Sequence, residues 1–215
     1  MPDQTPDTVT ATSPDLTAIV LACTLSPSPS DSSSIKLGTE VLDALHEHGV
    51  QGGTVIRVVD HDVRFGVSDD EGDGDEWPGI REQVLAADIL VFATPIWMGQ
   101  PSAVAKMVLE RLDNEIAETD DAGRPLLSDK VAVAAIVGNE DGAHHSSAMI
   151  FQALNDVGYT IPAQGVTYWV GEAMGSTDYQ DLDEVPEKTA QTTATVARHA
   201  AHLARALRAM PYPAP

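Results

Sequence analysis

The chain has 215 residues, 43% of them hydrophobic, which is enough for one full core and requires no second domain. Its 33 acidic residues against 12 Lys and Arg give a formal net charge of -21, a field that repels nucleic acid and anionic membrane surfaces. A single cysteine, Cys23, excludes an internal disulfide, and no apolar run reaches the roughly 18 to 20 residues of a membrane span.

Residues 1–16 are rich in Thr, Pro, Asp and Ser and lack both a basic start and an apolar stretch, so they read as a flexible tail on a cytoplasmic protein. Residues 17–210 read as one domain. Its first apolar run, residues 18–23, has no polar alternation and predicts a strand buried on both faces of a parallel sheet. A Ser/Pro-rich loop follows, then a helix over about 32–48 with Ile35, Leu37, Val41, Leu42 and Leu45 on one stripe and Gly49 at its C-cap. Residues 54–59 are β-branched and predict the second strand, and the segment 60–78 after them is longer than ordinary connections, hence functional or mobile.

Within that segment, Asp69, Glu71 and Asp73 before Gly74 suggest a calcium loop, but the twelfth position falls on Ile80 where a bidentate Glu is needed. A solvated acidic loop is expected instead. A helix over 79–87 leads to a second unalternated run at 89–93, then the loop Thr94-Pro95-Ile96-Trp97-Met98-Gly99 and a helix over 102–116. After a turn at 120–125 come a third such run at 131–137, the loop 138–142, a helix over 143–157, a strand near 165–170 and an Ala-rich helix over 185–208. Strands alternating with helices predict a doubly wound α/β fold, in which ligands bind beyond the carboxyl ends of the strands.

Three loops occupy that position. The first offers Ser26, Ser28, Ser32, Ser33 and Ser34 at a helix N-terminus, which suits a phosphate but equally an ordinary Ser N-cap. It holds neither a Walker A lysine nor a Gly-x-Gly-x-x-Gly turn. The second presents Pro95, Ile96, Trp97, Met98 and Gly99, where Trp97 either walls a flat ring or fills a gap in the core. In the third, Gly138, Asn139, Asp141 and Gly142 imply a close backbone approach, and His144 is a candidate ligand donor or a surface residue. His144 and His145 are adjacent, about 100° apart on a helix, and make a poor metal pair, so no metal is expected.

Together these loops resemble the flavodoxin-like NAD(P)H-dependent FMN reductase family over about residues 17–170, carried by Ser26, Ser32-Ser33-Ser34, Thr94-Pro95-Ile96-Trp97-Met98-Gly99 and Gly138-Asn139-Glu140-Asp141-Gly142. The segment 167–175 is also similar to one seen in some of these reductases. The resemblance implies a five-stranded parallel sheet of order 2-1-3-4-5 with helices on both faces. It implies a first loop gripping the FMN phosphate, a second lining the isoalloxazine and a third closing over its other edge. Two departures stand out: Pro29 or Ser30 replaces the arginine often found in the phosphate loop, and no Tyr lies between Gly138 and His145.

The expected function is hydride transfer from NAD(P)H through FMN to a quinone, flavin or similar acceptor. The alternatives are a flavodoxin-type electron carrier and a cofactor-free binding domain. A carrier encloses its ring between two aromatics, whereas a hydride-transfer enzyme leaves one face open, and Trp97 is the one evident ring-side aromatic. The hydride step needs no protein acid, so no catalytic residue is assigned, although His144 is placed to protonate a reduced quinone. The acidic surface suits a basic redox partner, a solvated face or a salt-rich cytoplasm. It opposes a phosphorylated nicotinamide unless some of Arg64, Arg81, Lys106 and Arg111 line the entrance. The family's reductases pair as dimers, and segment 60–78, with Phe65 and Trp77, is the candidate contact.

Overall fold

The computed structural model describes residues 15–215. The expected tail therefore lies, up to residue 14, outside the described residues, and the first strand already begins at Leu16, which is buried. In chain order the elements are β1 (Leu16–Ala22), α1 (Ser33–His46), β2 (Val50–Arg57), α2 (Trp77–Ala86), β3 (Ile89–Trp97), β4 (Gln100–Pro101), α3 (Ala103–Arg111), β5 (Val131–Gly138), α4 (Ala143–Asp156), β6 (Val166–Val170) and α5 (Glu187–Ala209). The parallel strands lie in the order β2-β1-β3-β5-β6, which is the expected doubly wound order once the two-residue β4 is set aside. That short strand pairs antiparallel with the end of β3.

The unalternated runs are explained by two cores. Ile19, Leu21, Leu90, Phe92, Ala132 and Ala134 point to one face, where α2, α3 and α4 cover them through residues such as Ile80, Val108 and Ile150. Val20, Val91, Val133 and their alternates point to the other, under Leu37, Val41 and Leu45 of α1 and the Ala-rich face of α5. Each strand residue is thus apolar because each face has its own helical layer. β2 and β3 flank β1 on opposite sides, so the chain reverses its winding there and leaves a crevice beyond the carboxyl ends of β1 and β3.

Two expected features differ. The run at 89–93 does not stop at Ala93: β3 continues through Trp97 because β5 pairs with it as far as Pro95 and β4 returns against Ile96 and Trp97. The expected loop is a strand end followed by the tight reversal Met98-Gly99. Segment 60–78, for its part, is not simply solvated. The Asp75 side chain is fully buried, pairs with the equally buried Arg111 at 2.8 Å, and accepts the backbone N–H groups of Arg64 (3.3 Å), Glu71 (2.9 Å) and Trp77 (3.2 Å). Arg111 also donates to the carbonyls of Ser68 (3.1 Å) and Arg64 (2.9 Å), so one buried guanidinium fastens the segment to α3. Trp77 is buried, while Phe65 is exposed. Among the described residues, no helix is long and apolar enough to cross a membrane.

Candidate functional site

Beyond β1 the chain turns through Thr24 and Ser26 into the first turn of α1. Ser32 is its N-cap, accepting from Ile35 N at 3.4 Å, and its hydroxyl lies 3.2 Å from that of Ser34. The opening N–H groups of a helix have no partner within the helix, and they form the positive end of its dipole. The loop carbonyls turn the other way: Arg57 donates to Ser30 O (2.9 Å) and Ser26 O (3.3 Å) from behind. Ser28 is turned away too, its N–H bonded to Asp60 at 2.8 Å and its hydroxyl to the other oxygen of that carboxylate. The Ser28 hydroxyl and N–H, with Arg57 beside them, hold the Asp60 carboxyl below the ordinary range.

The second wall is the end of β3. Ser102 fixes it: its hydroxyl donates to Cys23 O (2.6 Å), caps Ala105 N (3.0 Å), and its own N–H donates to Thr94 Oγ1 (3.2 Å). β1, β3 and α3 therefore meet at one buried serine. Past this knot Ile96 is buried, Trp97 is 55% exposed and Met98 is 88% exposed, at the lip of the crevice. Met98 and Gly99 both have left-handed backbones, with φ of 54° and 72°.

The third loop fastens onto that reversal. Glu140 accepts Met98 N at 2.8 Å, and His145 Nε2 lies 3.1 Å from Gln100 Oε1. Gly142 has a φ of 131°, and a Cβ there would lie 2.7 to 2.9 Å from the backbone of Gly99, so only glycine fits.

A fourth segment completes the cleft. After β6, Asp178 accepts from Asn139 Nδ2 (2.8 Å), Gln180 N donates to Ser33 Oγ (3.1 Å), and Lys36 Nζ donates to the carbonyls of Tyr179 (3.0 Å) and Leu182 (3.3 Å). Tyr179 is buried, with its ring 5.5 Å from that of Trp169 and its hydroxyl bonded to Glu40. Burial, reinforced by the Glu40 carboxylate, pushes the Tyr179 hydroxyl far above its ordinary value.

These four segments enclose a cleft of about 550 Å³, within the range of small-molecule sites. Of the residues expected at the site, Ser26, Ser32, Ser33 and Ser34 line it from the loop after β1, Pro95, Ile96, Trp97 and Met98 from the end of β3, and Gly138 and Asn139 from the end of β5. Five do not line it. Ser28 is bound to Asp60; Gly99 and Gly142 pack on each other; Asp141 accepts the N–H of Gly142 (2.9 Å); and the His144 ring sits edge-on to Tyr168 at 5.3 Å. The close approach expected at Gly142 is thus to a neighbouring loop. Lining residues outside the expected cofactor-binding set include Asp31, Glu140, Met174, Asp178, Tyr179 and Gln180. Trp169 and Tyr179 also line the cleft, so Trp97 is not its single aromatic, and the count of aromatics does not separate carrier from reductase.

The charged lining residues among those described are Asp31, Glu140 and Asp178, with no Lys, Arg or His. None of the four cations whose place at the entrance would admit a phosphorylated nicotinamide, Arg64, Arg81, Lys106 and Arg111, lines the cleft. Arg111 pairs with Asp75, Arg81 with Glu115 and Lys106 with Glu110, and Arg64 reaches toward Glu71 O at 3.5 Å. The donor set nevertheless fits FMN. A 14-residue helix begins at three serines, where hydroxyls and free N–H groups suit a phosphate, and an apolar wall of Pro95, Ile96 and Trp97 suits a ring system.

Comparison with known proteins agrees with this geometry. Two curated relatives are the divalent metal cation transporter MntH of Mycobacterium bovis, 38% identical over 77% of this chain and 25% of that protein, and 8-demethyl-8-aminoriboflavin-5'-phosphate synthase of Streptomyces davaonensis, 35% identical over 74% of this chain and 65% of that protein. The chain thus spans less than two thirds of the length of either. The crystal structure of RosB with its bound intermediate 8-demethyl-8-formylriboflavin-5'-phosphate superposes with a TM-score of 0.82 at 33% identity, covering 92% of this chain and 82% of that one. The pattern of the NADPH-dependent FMN reductase family matches residues 19–175, from the first strand to the segment beyond β6. With that match running from within the first strand past the last and through most of the cleft, the chain belongs to the NADPH-dependent FMN reductase family.

Proposed function

We propose that the protein passes a hydride from NAD(P)H through bound FMN to a small acceptor such as a quinone or a free flavin. The observation that carries this reading is the asymmetry of the cleft: serines at a helix N-terminus at one end, and at the other an apolar wall whose outer residues, Trp97 and Met98, stand exposed at an open lip. Ser32, Ser33 and Ser34 hold the phosphate through hydroxyls and N–H groups, without a cation. Pro95, Ile96 and Trp97 orient the ring, and the open lip admits the nicotinamide. Bound there, FMN supplies two-electron hydride chemistry, and no side chain is required as acid or base for that step. His144 lies outside the cleft lining and is given no part in it.

Anaerobic mixing of the FMN-loaded protein with NADH or NADPH tests the reading. Bleaching of the flavin band is expected with at least one nucleotide, faster with NADH at low salt, because a cleft whose charged lining residues are all carboxylates repels the additional phosphate of NADPH. A flavin left oxidised by both nucleotides would leave the electron-carrier reading in its place. Pairing of two copies through the exposed Phe65 and Val67 belongs to the same proposal, and a monomer at micromolar concentration in sedimentation would remove it.

The likeness to RosB and to 8-demethyl-8-aminoriboflavin-5'-phosphate synthase favours a second reading, in which the flavin phosphate is itself the substrate. Mass analysis of flavin recovered after turnover separates the two: unchanged mass belongs to the reductase, altered mass to flavin modification.

A further inference from the structure

Met98 is an unusual residue for its backbone. Its φ of 54° is left-handed, a conformation that residues other than Gly, Asn and Asp adopt at a cost. Its own side chain, 88% exposed and unable to hydrogen-bond to the local backbone, offsets none of that. The β3–β4 pairing closes the reversal below Met98, and at Met98 itself the side-chain contact is Glu140, 42 residues distant, accepting Met98 N at 2.8 Å. A carboxylate acceptor makes this one of the stronger classes of hydrogen bond. Glu140 also lines the cleft, and it is the charged lining residue tied to the Trp97-Met98 wall. The other two carboxylates belong elsewhere: Asp31 to the serine end and Asp178 to the segment beyond β6, where Asn139 holds it.

We propose that Glu140 is a positioning residue that pins the strained Met98-Gly99 reversal and so fixes the ring wall, and that its charge sets how readily a flavin against that wall is reduced. The second half rests on the reading that FMN occupies the cleft; the first does not. A negative charge about 10 Å from a ring, at an effective dielectric near 20, disfavours the one net negative charge that a hydride adds by about tenfold.

Two variants separate position from charge. Glu140→Gln keeps an oxygen for Met98 N and loses the charge; Glu140→Ala loses both. In the cofactor-free protein, amide exchange at Met98 is expected to quicken at least tenfold in Glu140→Ala and to stay within about threefold of wild type in Glu140→Gln. With FMN bound, the equilibrium against a reference dye is expected to shift about tenfold toward the reduced flavin in Glu140→Gln, a rise of about 30 mV for two electrons. FMN binding is expected to weaken about tenfold only in Glu140→Ala. Met98 exchange unchanged in Glu140→Ala, or a dye equilibrium in Glu140→Gln equal to wild type, overturns the proposal. A wild-type protein that binds no FMN defeats the proposed function and the charge half of this proposal with it, and the exchange result still decides whether Glu140 holds the turn.

Discussion

Replacement of Arg111 by Met is expected to lower the free energy of unfolding by about 3 to 5 kcal/mol, the cost of breaking a buried ion pair from one side. The side chains of Arg111 and Asp75 are both fully buried, and the guanidinium is also the donor to Ser68 O and Arg64 O. The variant therefore strands one carboxylate and two carbonyls, and lets go of segment 60–78. A urea midpoint measured by far-ultraviolet dichroism reads the loss; a change under 1 kcal/mol would mean that the segment is held by something else. Acid probes the same cluster. Burial raises the Asp75 carboxyl, but the bonds from Arg111 and from the backbone N–H groups of Glu71, Arg64 and Trp77 outweigh it and leave the group at about 2. A carboxyl depressed on folding stabilises the fold above its ordinary value of 3.8, and that contribution is lost as the pH falls through about 2. The melting temperature of the wild type should thus drop across this window, and by less in Arg111→Met, where the largest of the depressing bonds is already gone.

Gly142→Ala is expected to be the most damaging substitution at the site. The φ of 131° is left-handed, and the added carbon would lie 2.7 to 2.9 Å from the oxygen, Cα and carbonyl carbon of Gly99. Those are backbone atoms and cannot swing aside, so the third loop must lift off the β3–β4 reversal. Backbone strain of this kind costs of order 1 to 3 kcal/mol. The separation should also loosen the Glu140 bond to Met98, so FMN affinity is expected to fall at least tenfold, read by quenching of flavin fluorescence. Gly99→Ala is the instructive control. Its φ of 72° is strained as well, but its nearest atom would be Asp141 O at 3.8 Å, so its loss should be smaller. Equal losses in the two variants would assign the damage to φ alone and deny the contact between the loops.

Much of the fold was legible because the buried strands announce themselves. Runs such as 131–137 carry no polar residue, and only a strand sandwiched between two helical layers tolerates that; the two cores on Val133 and Ala134 are its direct expression. The serine end of the cleft was legible for a related reason, since Ser32 at the head of an apolar-striped helix is a local N-cap signal. The ring end was legible in place but not in shape. Nothing in Thr94-Pro95-Ile96-Trp97 shows that β3 continues through it, because the continuation depends on β5 and on the return of β4. At the third loop the close approach was legible but not its partner. Gly142 has the same appearance whether a ligand or a neighbouring loop approaches it, and the approaching backbone is that of Gly99. Glu140 stood inside the Gly138-Asn139-Glu140-Asp141-Gly142 motif without a role of its own and Tyr179 carried no local signal, since their partners lie far along the chain: Met98 for the first, Glu40 and Lys36 for the second.

The most direct test of the central claim, that this cleft takes a flavin phosphate end to end, is a paired titration of the purified protein with FMN and with riboflavin. One FMN per chain is expected to bind, at least tenfold tighter than riboflavin, because the phosphate gains the hydroxyls and N–H groups at the head of α1 even without a cation. Equal affinity for the two flavins, or no binding of either, would contradict the assignment of the serine-lined end to the phosphate.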